Sequence, residues 1–337
     1  MARLTYLSQE IFMLIDNHNR VINYLRLSVT DNCNMRCQYC MPAEGMVFSP
    51  TKSLLTWEEM LLLSTNFIEM GVQKIRITGG EPFVRKGLMP FLAALAQVNG
   101  LQDISITTNA TLIGEHIVAL KKLNIQNINV SMDSLDKARF NSITRRDYFD
   151  TVMANVLMLV KNDFNVKINC VVMDGINTDD IIPFLDFANE HNIDVRFLEE
   201  MPFNGNSKGF DVLEWNYIKI LEHIKTVFPA IHLLPSKPGS TAQNYRIENR
   251  RGTFGVIPSF SRTFCGTCNR LRLSAKGELQ TCLYTNESVS FINILRESGD
   301  LSLVKPLIVA AIKTRFKDGF EAEEKTEFKK SMSAIGG

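Results

Sequence analysis

A chain of 337 residues, 45% hydrophobic and 22% charged, has enough apolar side chain for one large core or a core plus a smaller unit, as in ordinary globular enzymes. Its formal net charge of +1 gives no reason to expect nucleic acid or a membrane surface as partner. No apolar run is long enough to span a bilayer and residues 1–20 lack a signal-peptide layout, so the expected compartment is the cytoplasm, where thiols stay reduced.

In chain order, short β-branched or apolar runs ended by polar residues or Gly predict strands at 24–30 (YLRLSVT), 74–79 (KIRITG), 103–108 (DISITT), 127–133 (NINVSMD), 166–172 (VKINCVV) and 194–199 (DVRFLE). Helical patterns lie between them. The clearest runs from Thr56 to Met70, where TWEE is a capping box from Thr56 to Glu59 and Gly71 a stop. Such a series predicts an α/β fold with a parallel sheet, either open or an incomplete barrel. In both, ligands gather at the C-terminal strand ends. DNCNMRC follows the first strand, GGEP the second, TNA the third, SMDS the fourth and EEMP the sixth, so these segments are expected on one face.

After residue 232 the texture changes to a stretch rich in Pro, Gly, Ser and Asn with short strand-like pieces. The expected division is a barrel-like unit over 1–232 and a smaller, irregular unit over 233–337, closing in charged helices and a Gly-Gly terminus.

Seven cysteines in a reducing compartment point to metal ligands or core residues rather than disulfides. Cys170, in the alternating VKINCVV, reads as a small buried hydrophobe. Cys33, Cys37 and Cys40 form C-x3-C-x2-C. A redox pair has no use for the third thiol, and a closed zinc site needs a fourth ligand. Three thiolates on one loop suit three irons of a cubane, leaving the fourth iron open to a substrate or cofactor.

Cys265, Cys268 and Cys282 form C-x2-C-x13-C, again a trio. A structural zinc knuckle is the plain alternative on spacing alone. Against it stand the missing fourth ligand and the alternating Arg270 and Arg272 in NRLRL, which share one face of a strand and suit an anionic ligand.

The first trio after the first strand, the aromatic Tyr39 before its last cysteine and GGEP after the second strand resemble the radical S-adenosylmethionine superfamily. With KIRITGGEPFVRKGL, TTNA, NVSMDSL, EEMP and FCGTCNRLRLSAKGELQTCL, most of the chain resembles the GTP 3′,8-cyclase family of molybdenum cofactor biosynthesis. The resemblance implies an incomplete (βα)6 TIM-like barrel of the radical S-adenosylmethionine type, with a small C-terminal domain. It also implies two [4Fe–4S] clusters: Cys33, Cys37 and Cys40 would hold the one that binds S-adenosyl-L-methionine, and Cys265, Cys268 and Cys282 the one that takes the guanine end of GTP. Carried over position by position, the cofactor contacts fall on Tyr39, Gly80, Ser131 and Met201, and those to GTP on Arg26, Arg76, Thr107, Lys167, Arg270, Leu271 and Arg272.

The implied reaction is abstraction of the ribose C3′ hydrogen of GTP by a 5′-deoxyadenosyl radical and attack of C3′ on guanine C8, with Arg26 a candidate for proton delivery. The family's Gly-Gly tail, here Gly336 and Gly337, enters the site. The family also implies a homodimer, an electron donor, and a product passed to cyclic pyranopterin monophosphate synthase.

Three positions depart from the family pattern: Asn32 replaces an arginine, TNA replaces TNG, and ITRRDYF lacks a glycine. The competing readings are a radical enzyme acting on a peptide with an auxiliary cluster, and a non-catalytic iron–sulfur or zinc module. The first usually needs more cysteines, and the second leaves both missing fourth ligands without a reason.

Overall fold

The computed structural model describes residues 13–201, 213–285 and 287–325. Six strands, β1 (Tyr24–Ser28), β2 (Lys74–Thr78), β3 (Asp103–Thr108), β4 (Asn127–Ser131), β5 (Asn165–Val172) and β6 (Asp194–Glu199), lie side by side in chain order, each parallel to the next. The crossovers carry α1 (Trp57–Glu69), α2 (Leu88–Leu95), α3 (Ile117–Lys122), α4 (Lys137–Thr144), α5 (Phe149–Lys161) and α6 (Ile181–His191). The expected capping box is present: Glu59 N donates to Thr56 Oγ1 at 3.2 Å and Thr56 N donates to Glu59 Oε2 at 2.7 Å.

Helix α7 (Tyr217–Val227) leads into β7 (Ile231–Leu233), β8 (Gln243–Ile247), β9 (Thr253–Ile257), β10 (Arg270–Leu273), β11 (Glu278–Gln280) and β12 (Val289–Ser290), then α8 (Val304–Lys313) and α9 (Gly319–Lys325). These later strands join the same sheet. Strand β9 pairs parallel with β6, and β10 pairs parallel with β1, so the chain after 232 covers both edges of the incomplete barrel. An exposed strand edge is a template for wrong pairing, and these strands cover both edges of the barrel, leaving the short β12 and β7 at the ends of the sheet.

Alternation along the strands separates two faces. Leu25, Leu27, Ile75, Ile77, Ile106, Val130, Ile168 and Phe197 are fully buried in the core with Leu63, Phe67, Leu92, Leu159 and Phe184 of the helices. Cys170, 1% exposed, belongs to this layer, as its pattern suggested. Positions of the other parity are mostly polar: Arg272, Arg26, Arg76 and Ser105 stand abreast across β10, β1, β2 and β3. The next tier holds Thr107, Asn129, Lys167 and Asp194. No helix among the described residues is long and apolar enough to cross a membrane.

Candidate active site

The polar face lines a cavity of about 770 Å³. All six clustered cysteines border it, together with Tyr39, Gly80, Ser131, Met201, Arg26, Arg76, Thr107, Lys167, Arg270 and Arg272. Of the described residues assigned to a cluster, the cofactor or GTP, Leu271 alone is absent: strand alternation turns its side chain into the core, where it is fully buried. Gly336 and Gly337 lie outside the described residues.

The first thiol loop follows β1 and is fastened mainly through its backbone. Cys40 N and Met41 N donate to Cys37 O at 3.0 and 3.1 Å, while Arg36 N and Gln38 N donate to the C-terminal carbonyls of α4, Thr144 O at 2.9 Å and Ile143 O at 3.0 Å. Gly80 is required by proximity, because a Cβ there would stand 2.3 Å from Asn32 O. Glu81, fully buried beside it, accepts from Phe83 N, Thr108 Oγ1 and Asn109 N at 3.1, 2.8 and 2.7 Å, tying the ends of β2 and β3 together. Tyr39 OH donates to Asp133 Oδ2 at 2.9 Å, which fixes the loop's aromatic against the end of β4.

Both segments that depart in glycine include a residue on left-handed backbone. Ala110 of TNA has φ +61° and Arg145 of ITRRDYF has φ +54°. Arg145 Nη1 also donates to Arg36 O at 2.9 Å and Met41 O at 3.1 Å, so this side chain holds both ends of the CxxC turn.

In the second group, Cys265 opens a short 3-10 turn, and Cys268 N donates to Cys265 O at 3.1 Å. Cys282 stands just beyond β11. Burial pushes the Cys33 thiol up to about 12 and the Cys265 thiol up to about 11. Burial also raises Cys268, but Arg270 and Arg315 outweigh it and leave that thiol below its usual value.

The cations border the same cavity. Burial, then Arg272, Arg76 and Arg270, push Arg26 well below the usual arginine range. Burial, then Arg270, brings Arg272 down to about 10. Burial, then Arg76, brings Arg196 down to about 10. Burial raises Tyr24, but the pull of Arg76, Arg26 and Lys74 with a hydrogen bond from Arg76 brings its phenol down to about 8. Arg76 Nη1 also donates to Thr107 Oγ1 at 3.3 Å, and Lys167 pairs with Asp194.

Tyr24, Arg196, Asn129 and Asn169 line the cavity as well, and sequence reasoning passed them over. The signal was strand parity: Arg196 in DVRFLE and Tyr24 in YLRLS alternate with buried apolar residues as Arg26 does.

The arrangement suits iron–sulfur clusters. Each trio offers three free thiols, and in a cubane each thiolate takes its own iron. Donors already point at the sulfurs: Met35 N and Asn109 Nδ2 reach Cys33 Sγ at 3.4 and 3.8 Å, and Arg315 Nη2 reaches Cys268 Sγ at 3.5 Å.

A parallel incomplete barrel with a cysteine trio after its first strand defines a radical S-adenosylmethionine protein. Residues 27–188 match the Radical SAM superfamily model, and 193–320 match that of Molybdenum Cofactor Synthesis C. The chain is 38% identical to "GTP 3′,8-cyclase, mitochondrial" of Arabidopsis thaliana, covering 90% of this chain and 78% of that protein. It is 34% identical to "GTP 3′,8-cyclase" of Alkaliphilus oremlandii, with 96% and 99% covered.

The chain belongs to the GTP 3′,8-cyclase family. It spans about half the length of other relatives, covering 55% of "Molybdenum cofactor biosynthesis protein 1" of Drosophila melanogaster at 39% identity. Streptococcus suis SuiB bound to its precursor peptide SuiA shares the fold, with a TM-score of 0.61 at 17% identity, covering 90% of this chain and 72% of that one. The family's cofactors are S-adenosyl-L-methionine and two [4Fe–4S] clusters, the second in the C-terminal part.

Proposed function

We propose that this protein converts GTP to (8S)-3′,8-cyclo-7,8-dihydroguanosine 5′-triphosphate, the first step of molybdenum cofactor biosynthesis. The observation that carries the reading is that both cysteine trios and the row of guanidiniums border one cavity. When bound, S-adenosyl-L-methionine on the first cluster supplies a carbon-centred radical, and the second cluster an open iron for the purine.

The chain's own residues bind, orient and enclose. Cys33, Cys37 and Cys40 hold one cluster; Cys265, Cys268 and Cys282 hold the other. Tyr39, Gly80, Ser131 and Met201 form the cofactor's side of the cavity. Arg26, Arg76, Lys167, Arg270 and Arg272 are assigned to the nucleotide with Thr107, and Arg196 joins them on its place in the cavity.

Crowded, half-buried guanidiniums repel one another, and a triphosphate is the anion that relieves them. Holding the nucleotide at both ends keeps ribose C3′ beside guanine C8, where positioning contributes most to rate. Arg26, with its proton affinity reduced, is assigned to proton delivery.

On this reading, residues 1–232 generate the radical and 233–337 clamp the substrate, with Gly336 and Gly337 reaching the site; glycine suits so close an approach. An external donor supplies the electrons, the protein works as a homodimer, and the product passes to cyclic pyranopterin monophosphate synthase. Seven free cysteines suit a reducing compartment, the cytoplasm.

Anaerobic incubation with GTP, S-adenosyl-L-methionine and a strong reductant tests the proposal by mass analysis. Equimolar 5′-deoxyadenosine and a cyclised nucleotide are expected. Cofactor cleavage that leaves GTP unaltered overturns it.

A further inference from the structure

The second thiol group is gripped by a buried charge network that the chemistry above does not use. Residues 13–22 fold back on themselves through an antiparallel bridge between Ile15 and Val21. At the turn Asp16 is 2% exposed, and it faces Arg20 and Arg315, 8% and 4% exposed. Asp16 Oδ2 accepts from Arg20 Nε at 2.6 Å and lies 3.5 Å from Arg315 Nε. Asp16 Oδ1 accepts from the backbone N–H groups of His18 and Arg20, both at 2.9 Å.

Both arginines then reach the cysteines. Arg20 Nη1 donates to Cys265 O at 3.1 Å and Lys317 O at 2.8 Å, and Arg20 Nη2 donates to Phe316 O at 2.7 Å. Arg315 Nη2 donates to Cys268 O at 3.3 Å and to Cys268 Sγ at 3.5 Å. Arg315 Nη1 is buried with no acceptor among the described residues, a costly state that a cluster sulfide would relieve.

Taking three charged groups out of water is expensive, so a buried network placed against a ligand cysteine invites a functional explanation. Here the charge sits against a ligand sulfur. Hydrogen bonds and positive charge at a thiolate favour the added electron of a reduced iron–sulfur cluster.

We propose that Asp16, Arg20 and Arg315 are positioning residues for the second cluster: Arg20 fixes the Cys265 turn, Arg315 raises the cluster's reduction potential through Cys268, and Asp16 moderates that charge. The inference rests on the reading of Cys265, Cys268 and Cys282 as cluster ligands.

The test uses protein in which Cys33, Cys37 and Cys40 are all replaced by Ala, so that one cluster remains, reconstituted anaerobically and titrated by electron paramagnetic resonance. Arg315→Gln should disfavour reduction about tenfold, or about 59 mV for one electron. Arg315→Lys should recover most of that loss. Asp16→Asn, which removes the countercharge, should shift the potential the opposite way, a sign change that loosened packing does not produce. Arg315→Gln should also hasten iron loss to a chelator.

Unchanged potentials across the series, or equal shifts for Arg315→Gln and Arg315→Lys, overturn the inference while leaving the cluster reading intact. Failure of the parent variant to hold iron and sulfide overturns the cluster reading, and the inference falls with it.

Discussion

Arg26 and Arg272 are register partners across the pairing of β1 with β10, although they lie far apart in the chain, and Arg76 flanks Arg26 on β2. Three guanidiniums abreast on the polar face of one sheet concentrate positive charge in a protein whose formal net charge is +1. The concentration exists because the chain after 232 returns to lay a strand along the first edge of the barrel.

Replacing Arg272 with Met should separate binding from stability. Loss of one charged hydrogen-bonding group costs about 1.5–3 kcal/mol of nucleotide affinity, roughly ten- to a hundredfold. Relief of the repulsion on Arg26 should leave the apoprotein at least as stable as the parent. Calorimetric titration with GTP and thermal melting check the two halves, and cofactor cleavage should be less affected than GTP processing. Unchanged GTP affinity removes Arg272 from the site.

Tyr24 should report on the anion. Its phenol titrates at about 8 rather than the usual 10, so its contribution to stability is complete above pH 10 and is lost as the pH falls through 8. Tyrosinate absorbance of the apoprotein should show a component near pH 8 that Tyr24→Phe removes. Saturating GTP should raise that midpoint, because phosphate charge offsets the surrounding cations. A midpoint indifferent to GTP counts against triphosphate binding beside Tyr24.

Anaerobically prepared protein should contain about eight irons and eight sulfides per chain, the content of two cubanes. Cys37→Ala should halve the iron and stop S-adenosyl-L-methionine cleavage. Stoichiometric zinc without acid-labile sulfide rules the cluster assignment out. Cys170→Ala, in the core layer, should lower stability by about 1 kcal/mol and leave the iron content unchanged.

The two left-handed residues should respond differently to glycine. Ala110→Gly removes strain of about 1–2 kcal/mol against a gain in unfolded-state freedom of about 0.4–1 kcal/mol, so the melting temperature should hold or rise slightly. Arg145→Gly removes similar strain but also the bonds to Arg36 O and Met41 O. Iron of the first cluster should therefore be lost to a chelator several-fold faster in the Arg145 variant alone, measured after reconstitution.

Local patterns were legible because their causes are local. The capping box of α1 depends on residues three apart, and each of the six barrel strands was recovered within a residue or two of its observed ends. The polar segments shared one face because parallel strands with right-handed crossovers leave no other outcome. Arg196 and Tyr24 were missed although their parity was visible, because without a register nothing showed that neighbouring strands also placed cations at that level.

The amino-acid order by itself determined the barrel strands, the two cysteine trios and the polar parity of each strand, since spacing of a few residues specifies all three. Only the tertiary structure decided that β9 and β10 cover the two open edges, that both trios border one cavity, and that Asp16 meets Arg315. Those contacts join segments distant in the chain, from Asp194 with Thr253 to Asp16 with Arg315. They arise from burying strand edges and pairing charges, and periodicity along the chain carries no record of either.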